Sequence, residues 1–220
     1  NLTRTKQQGL FGYTRLAVMD DWKLILGGRL SRYEAWSTGW NAFADAYAGT
    51  CPSWASTCDA PVLNRFQNNR RIFTPYYALM WDFSPEWTAY VSMTRSFEDQ
   101  SNYFSSDYQP LSPTTGKSYE FGFKGEHFGG QLNSNITFYR STRKNYAVKV
   151  GDDESFTPSG QYCCYSGDGK FLAQGVEIDV NGAITPQWQV NAGYTFVDNK
   201  TEHGSNNGQR YASYAPKRTF

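Results

Sequence analysis

The chain has 220 residues, a formal net charge of +1 and a mean hydropathy of -0.64, and 17% of its residues are aromatic. The near-neutral charge, with no run of Lys or Arg, argues against nucleic acid as a partner. No stretch approaches the roughly 18 consecutive apolar residues of a transmembrane helix, which excludes a helical membrane protein. Many aromatic residues and 20 glycines on a polar average are instead what aromatic girdles and a polar lumen produce.

One unit recurs four times along the chain: an alternating run of apolar and polar residues, a short turn and a second alternating run. The first runs are predicted at 8–19, 72–82, 119–127 and 171–181. The second runs begin directly after the turns, at Trp22, Trp87, Leu132 and Trp188. Because strand side chains alternate between two faces, each second run has one apolar and one polar face. The pattern predicts about eight antiparallel strands arranged as four hairpins.

Long polar segments separate the hairpins. They are predicted as loops at 37–70, 98–115, 147–170 and 199–215. Short turns at one end of the strands and long loops at the other are the asymmetry of an outer-membrane barrel. Trp22, Trp87 and Trp188 each follow a short turn, so we expect them at one height in a periplasmic girdle, with their rings in acyl chains.

The alternative is a soluble β-sandwich in which these tryptophans fill a core. Three tryptophans at one end of a sheet, with Gly, Ala and Ser between them, would make that core lopsided, which disfavours the sandwich.

The two ends of the chain look like parts of further strands. Residues 215–220 are expected to open a ninth strand, and residues 2–8 to end an earlier loop or strand. A sheet with two unpaired edges cannot sit in a bilayer, because each unsatisfied backbone group costs several kcal/mol there. The sequence therefore predicts an all-β, antiparallel transmembrane β-barrel segment of about 8 to 9 strands, whose other strands belong to the same polypeptide.

Four cysteines occur in two pairs. Cys51 and Cys58 are predicted to form a disulfide that staples an exposed loop in an oxidising compartment. The chain has no C-x-x-C and no histidine near either pair, which disfavours a zinc site or a thioredoxin-like motif. For the adjacent Cys163 and Cys164 two alternatives stay open: a vicinal bridge, or the pairing of one of them outside this segment.

Family-specific motifs follow one another in these strands. The segments 73–82, 86–92, 116–126, 130–140, 174–182 and 188–196 contain FTPYYALMWD, EWTAYVS, GKSYEFGFKGE, GQLNSNITFYR, QGVEIDVNG and WQVNAGYTF. In order and spacing they resemble the signature of TonB-dependent ferric-siderophore receptors, and particularly the subgroup for hydroxamate-type and pyoverdine-type siderophores. The resemblance implies a barrel of about 22 strands that an N-terminal plug occludes, with residues 1–220 lying wholly in the barrel domain. The plug domain and the TonB box are absent from this sequence.

The resemblance also implies a function and its partners. We expect a multi-pass protein of the bacterial outer membrane that binds a ferric siderophore at its extracellular face and imports it with TonB-transduced energy. The partners would be the TonB–ExbB–ExbD complex, through the absent plug and TonB box, together with membrane lipid and lipopolysaccharide. No cofactor is expected, since iron enters only as ferric siderophore, and no catalytic constellation surrounds the two histidines. Alternatives are a TonB-dependent receptor for another substrate and a passive porin-like channel, which would lack a plug.

Aromatic residues concentrate in the predicted extracellular half. Aromatic walls with a few polar groups suit a bulky amphipathic chelate. We expect two or three members of a set of seven to contact the ligand. The set is Tyr33, Trp36, Trp40, Tyr103, Tyr108, Tyr146 and Tyr165.

Overall fold

The computed structural model describes residues 2–39, 64–107, 110–150, 164–204, 207–211 and 214–220. Within these ranges the chain forms nine strands: β1 (Leu2–Met19), β2 (Trp22–Gly39), β3 (Asn64–Ser84), β4 (Trp87–Glu98), β5 (Thr114–His127), β6 (Leu132–Lys149), β7 (Tyr165–Thr185), β8 (Trp188–His203) and β9 (Arg218–Thr219). All nine lie in one sheet in chain order, and every neighbouring pair is antiparallel. In the same ranges no helix is long and apolar enough to cross a membrane.

The four predicted hairpins and the ninth strand are confirmed. Two residues join the strands of the β1–β2, β3–β4 and β7–β8 hairpins, and residues 128–131 join β5 to β6. Phe128 opens this longer turn with a φ of 56°, a backbone conformation that is uncommon for a bulky residue. Thus the short connections all lie at one end of the sheet.

The predicted loops are wrong at their boundaries, because the strands extend further. The connection predicted over 37–70 is shorter than predicted at both ends, because β2 continues to Gly39 and β3 begins at Asn64. In the same way β6 continues to Lys149 and β8 to His203. The alternation of apolar and polar residues marks only the part of a strand with one face in lipid, whereas the backbone hydrogen bonds of the sheet continue beyond it.

The sheet has an apolar face and a polar face. Residues directly opposite each other in neighbouring strands point to the same face. One row of such pairs is wholly apolar and consists of Leu24, Leu79, Val91, Phe121, Phe138, Val176 and Phe196. A row on the other side consists of Tyr90, Gly122, Thr137, Glu177 and Thr195. The side chains of Val91, Phe121 and Phe138 are 44–47% exposed, and soluble monomers rarely expose such a contiguous apolar surface.

The apolar band slips along the register from strand to strand. A row of direct pairs connects Leu26 on β2 with Asp198 on β8. On the apolar face of β8, Asp198 is the first charged residue beyond the band. On the apolar face of β2, the first charged residue beyond the band is Arg32, six positions beyond Leu26. The band thus shifts by six residues over the six steps from β2 to β8, which is one residue per strand. A shift of about 3.3 Å along the strand for each strand spacing of about 4.8 Å corresponds to strands inclined by about 35° from the direction perpendicular to the band. This is the inclination of strands in transmembrane barrels.

Candidate functional site

On the polar face, beyond the apolar band, the predicted ligand residue Tyr33 contacts the connection between β4 and β5. Tyr33 on β2 is 7% exposed, and its hydroxyl donates a 2.7 Å hydrogen bond to Oδ2 of Asp99, which follows β4. The backbone N–H and the hydroxyl of Ser101 donate to the same oxygen at 3.1 and 2.6 Å. Tyr33 therefore anchors the start of the β4–β5 connection and presents little surface to a ligand.

Gln100 clips this connection to β6. Its Oε1 accepts hydrogen bonds from the hydroxyl of Thr114 and the N–H of Ala147, both at 3.0 Å. Its Nε2 donates to the carbonyl oxygens of Ser112 and Asn145. The side chain is 5% exposed, and it serves four groups of the two segments that it joins.

The clipped connection brings Tyr103 against Tyr165 at the start of β7. The two rings pack edge to face with centroids 4.7 Å apart. Beside them the N–H of Tyr165 donates to the carbonyl of Phe104 at 2.7 Å, and Phe104 is almost fully buried. Tyr103 keeps 40% of its surface exposed. One side of this aromatic pair is thus free to contact another molecule.

A second aromatic cluster joins β6, β7 and the connection after β8. The ring of Phe171 lies 4.8 Å from Tyr146 and 4.1 Å from Tyr211. Burial raises the pKa of Tyr146 above its usual value, and the nearby Tyr211 raises it further. Tyr146 therefore stays a neutral hydrogen-bonding phenol at physiological pH.

The second cluster borders a concavity of about 410 Å³ on the polar face. Its lining includes Ser118, Ser141, Arg143, Phe171, Asn199 and Tyr211. Arg143 forms an ion pair with Glu98 at 3.3 Å and is 47% exposed. Oδ1 of Asn199 is buried without a hydrogen-bond partner among the described residues. The concavity thus combines aromatic surface with a half-exposed cation, which is a composition suited to binding, and the buried Oδ1 of Asn199 lies in its wall.

Another polar-face concavity, of about 740 Å³, lies at the end with the short turns. It is lined by charged residues of both signs, including Arg15, Lys23, Asp82, Lys124 and Glu126. Lys23 and Asp82 form an ion pair across β2 and β3, and the hydroxyl of Thr88 donates to Asp82 at 2.6 Å. This end of the polar face therefore suits contact with a polar protein surface better than binding of a bulky amphipathic ligand.

The predicted ligand residues, and three of the four cysteines, divide into three groups. The structure brings Tyr33, Tyr103, Tyr146 and Tyr165 to the same end of the sheet. Trp36 is placed by its backbone, which pairs with Arg4 and Gln67. The predicted residues outside the described ranges are Trp40, Tyr108, Cys51, Cys58 and Cys163.

Cys164 is disulfide-bonded, and its partner lies outside the described residues. Both alternatives for the adjacent cysteines therefore stay open, and the predicted bond between Cys51 and Cys58 stays a prediction.

Sequence reasoning missed Phe171, Tyr211 and Arg143. The alternation of apolar and polar residues could have identified Phe171, because it falls on the polar face of β7. An aromatic residue on that face indicates that another group packs over it. Tyr211 had no such signal, since it lies outside the strands. Among the described residues no group of three or more His, Cys, Asp or Glu side chains could hold a metal ion.

Comparison with known proteins places this sheet in a family. The family model described as TonB dependent receptor-like, beta-barrel matches residues 1–220. The ferric-pyoverdine M114 receptor of Pseudomonas sp. (strain M114) is 33% identical over 215 residues, which are 96% of this chain and 24% of that protein. The chain spans about a quarter of the length of the curated relatives that it matches.

Two solved structures extend the similarity to the fold. The ferripyoverdine receptor of the outer membrane of Pseudomonas aeruginosa, bound to ferripyoverdine, is 26% identical with a TM-score of 0.74 and covers 98% of this chain and 25% of its own. The alcaligin outer-membrane receptor of Bordetella pertussis has a TM-score of 0.74 at 25% identity, over 98% of this chain and 33% of its own. With the family model matching every residue, the chain belongs to the TonB-dependent receptor β-barrel family.

Proposed function

We propose that the chain is part of the wall of an outer-membrane receptor that binds a ferric siderophore at its extracellular face and imports it with TonB-transduced energy. The observation that carries the proposal is the aromatic concavity at the end of the polar face where the long connections lie. Phe171 and Tyr211 border it, and Arg143 and Asn199 add polar groups. Family membership supplies the transport class.

A pyoverdine-type or other hydroxamate-bearing ferric chelate is the proposed cargo. Curated relatives that are 33% and 31% identical to the chain are named as ferric-pyoverdine receptors. Such chelates are large and amphipathic, so they match a wall of aromatic rings with a few polar groups. Iron is cargo in this proposal, and the protein needs no cofactor and performs no catalysis.

We propose that the ligand contacts come from both aromatic clusters. Tyr103, Tyr146 and Tyr165 carry exposed or half-buried rings, and Phe171 and Tyr211 extend that surface toward the concavity. Tyr33 acts by holding the connection that carries Tyr103. Trp36, Trp40 and Tyr108 remain candidates by their positions in the sequence.

The complete barrel would have about 22 strands. The strands that this chain does not supply, and the plug with its TonB box, would belong to the longer protein. The charged concavity near Lys23 and Asp82 supports a plug-facing role, because it offers ion pairs to a polar domain inside the lumen. Through that plug the receptor would engage the TonB–ExbB–ExbD complex. Outside, it would contact membrane lipid and lipopolysaccharide.

We also propose that Trp22, Trp87 and Trp188 form a periplasmic girdle. The row of direct pairs that begins at Trp22 meets β4 at Ala89 and β8 at Tyr194. Trp87 lies two residues and Trp188 six residues nearer the short turns than these positions. A slip of one residue per strand offsets both differences, which supports a common height for the three indoles.

The test is uptake of radiolabelled iron by cells that carry the full-length receptor. Iron is supplied on hydroxamate, catecholate and pyoverdine-type siderophores, with the receptor present or deleted and TonB intact or inactivated. We expect receptor- and TonB-dependent uptake of one pyoverdine or hydroxamate chelate. Uptake that is independent of TonB would favour a passive porin-like channel, and no uptake of any chelate would favour a TonB-dependent receptor for another substrate.

A further inference from the structure

The polar face divides into two sectors of opposite charge. On β1–β3 its described charged side chains are four cations and one acid, namely Arg15, Lys23, Arg29, Arg70 and Asp82. On β4–β7, as far as the first register shift between β6 and β7, they are five acids and two cations, namely Glu98, Glu120, Glu126, Glu177, Asp179, Lys124 and Arg143. Lys23 and Asp82 neutralise each other, which leaves the β1–β3 sector wholly cationic. Charged side chains inside a membrane-spanning wall mark substrate pathways.

The three remaining cations of the β1–β3 sector are evenly spaced along the strands. Arg29 lies on β2, Arg70 on β3 is directly opposite Tyr33, and Arg15 on β1 is directly opposite Ile25. Tyr33 and Ile25 are each four positions from Arg29, so the three rows are about 13 Å apart. Within the described residues none of the three arginines forms an ion pair with a carboxylate.

Aromatic side chains form a shallow trough between these cations. Gly27 is directly opposite Tyr13 on β1 and Tyr76 on β3, and Tyr13 is 76% exposed. Because Gly27 has no side chain, backbone forms the floor between the two rings. The guanidinium of Arg29 lies against the backbone of β1, since a Cβ on Gly9 would be 2.7 Å from its Nε. The surface is therefore open, with aromatic sides and a cation next to it.

The arginines and the trough together connect the two ends of the polar face. We call the set the cationic track, and it consists of Arg15, Arg29, Arg70, Tyr13, Gly27 and Tyr76. Its outer end lies beside Tyr33, which holds the connection that carries Tyr103. Its inner end is Arg15, which lines the charged concavity near the short turns. The track repeats the combination of aromatic rings and a cation that lines the proposed binding concavity.

A series of exposed cations suits passage better than tight binding. Transport requires sites that attract a solute strongly enough for entry and release it to the next site. Three separate arginines meet that requirement for a solute of negative charge. The acidic sector on β4–β7 repels the same solute, so the lumen wall directs it toward β1–β3.

We infer that the ferric chelate is a net anion and that it crosses the lumen along the cationic track when the plug moves. The inference rests on the proposed function and adds the charge class of the cargo and its route. Carboxylate or catecholate groups beyond those that neutralise Fe³⁺ supply the negative charge of such a chelate. The track acts after binding, so its loss affects the rate of import and leaves the affinity at the extracellular face unchanged.

The test is uptake of radiolabelled iron by cells that carry the full-length receptor. The probes are a ferric pyoverdine with a side-chain carboxylate and the same chelate with that carboxylate converted to a primary amide. Binding is measured in cells whose energy supply is blocked, and maximal uptake in energised cells. Arg29→Gln is expected to lower maximal uptake of the carboxylate form about fivefold, the effect of one partly screened charge, and that of the amide form less than about twofold. Binding stays unchanged, and Arg29→Lys keeps most of the uptake.

Arg32→Gln is the matched control. Arg32 lies on the same strand, three positions from Arg29, but on the apolar face, where it pairs with Glu34 at 2.8 Å. It loses the same charge outside the lumen, and we expect unchanged uptake of both chelates. A band shift between heated and unheated samples on gels verifies that each variant is folded.

The other possible occupant of the track is a carboxylate of the plug. In that case Arg29→Gln would lower uptake of both chelates equally, or would make cells sensitive to vancomycin through a loosened plug, and either result would overturn the inference. Weaker binding at unchanged maximal uptake, or equal losses in Arg29→Gln and Arg32→Gln, would overturn it as well. Wild-type cells that import neither chelate would refute the cargo proposal and the track with it, whereas normal wild-type uptake without charge dependence in Arg29→Gln refutes only the track.

Discussion

At the scale of single residues, the described part of the candidate site depends on side chains that order its connections. Gln100 is the clearest case, because one buried amide serves backbone groups of two segments, at Ser112, which is 12 residues away in sequence, and at Asn145 and Ala147, which are 45 and 47 residues away. Nothing in the local sequence marks this glutamine. Its importance follows from the cost of burying backbone N–H and C=O groups without partners.

We predict that Gln100→Ala in the full-length receptor loosens the β4–β5 connection. The substitution leaves Ser112, Asn145 and Ala147 each with one unpaired backbone group, and a loss of about 2 kcal/mol is expected. That loss corresponds to roughly 30-fold faster amide exchange in residues 99–113, measured by hydrogen–deuterium exchange. Gln131→Ala, in the exposed turn between β5 and β6, is the control. Unchanged exchange in Gln100→Ala would show that Gln100 does not hold the β4–β5 connection against β6.

At the scale of strands, the parts that extend beyond the apolar band need their own cross-strand pairs. Lys170 on β7 and Glu202 on β8 form one at 2.6 Å. The hydrogen bond from Lys170 is the main cause that holds the pKa of Glu202 below its usual value. A carboxyl group with a lowered pKa stabilises the folded state above its ordinary pKa, and this stabilisation is lost as the pH falls through the lowered value.

We therefore predict that the tips of β7 and β8 lose order in acid. Amide exchange around Thr201, corrected for the intrinsic pH effect, should accelerate as the pH falls below the usual range of a glutamate. Glu202→Gln should show part of the faster exchange already at neutral pH, and its remaining response to acid comes from Asp168, whose pKa is lowered by the hydrogen bond from Ser166 and by the nearby His203. A wild-type profile that is flat through this range would show that the ion pair contributes nothing.

The β7–β8 hairpin also depends on Gly182, which has a φ of 138°. A Cβ there would lie 2.1 Å from the carbonyl oxygen of Gln131 and 2.8 Å from Cα of Leu132, both backbone atoms. We predict that Gly182→Ala lowers the yield of folded full-length receptor severalfold, because the strand must move away from β6. The heat-modifiable band on gels measures the yield. Gly167→Ala, whose Cβ would meet only ordinary contacts at 4.0 Å, should fold normally.

At the scale of the whole molecule, the sequence predicts the hairpins and both faces, because alternation with a period of two is a local signal. It does not predict how far β2 and β8 continue outside the bilayer, where neither face meets lipid. It also misses the cluster around Phe171. Two register shifts between β6 and β7, on either side of Tyr146, aim that ring at Phe171, and no local pattern announces them.

The slip of the apolar band is a property of the complete barrel wall, and it leads to a prediction for the full-length receptor. On the apolar face the first charged residue beyond the band moves from Arg32 on β2 to Asp198 on β8, six positions along the register. Polarised infrared spectroscopy of the receptor in oriented bilayers should therefore give a mean strand tilt of about 35° from the membrane normal. A tilt below about 20° would leave a slip of only about half a residue per strand. Trp188 would then lie well below Trp22, so a low tilt would refute the common height of the tryptophans as well.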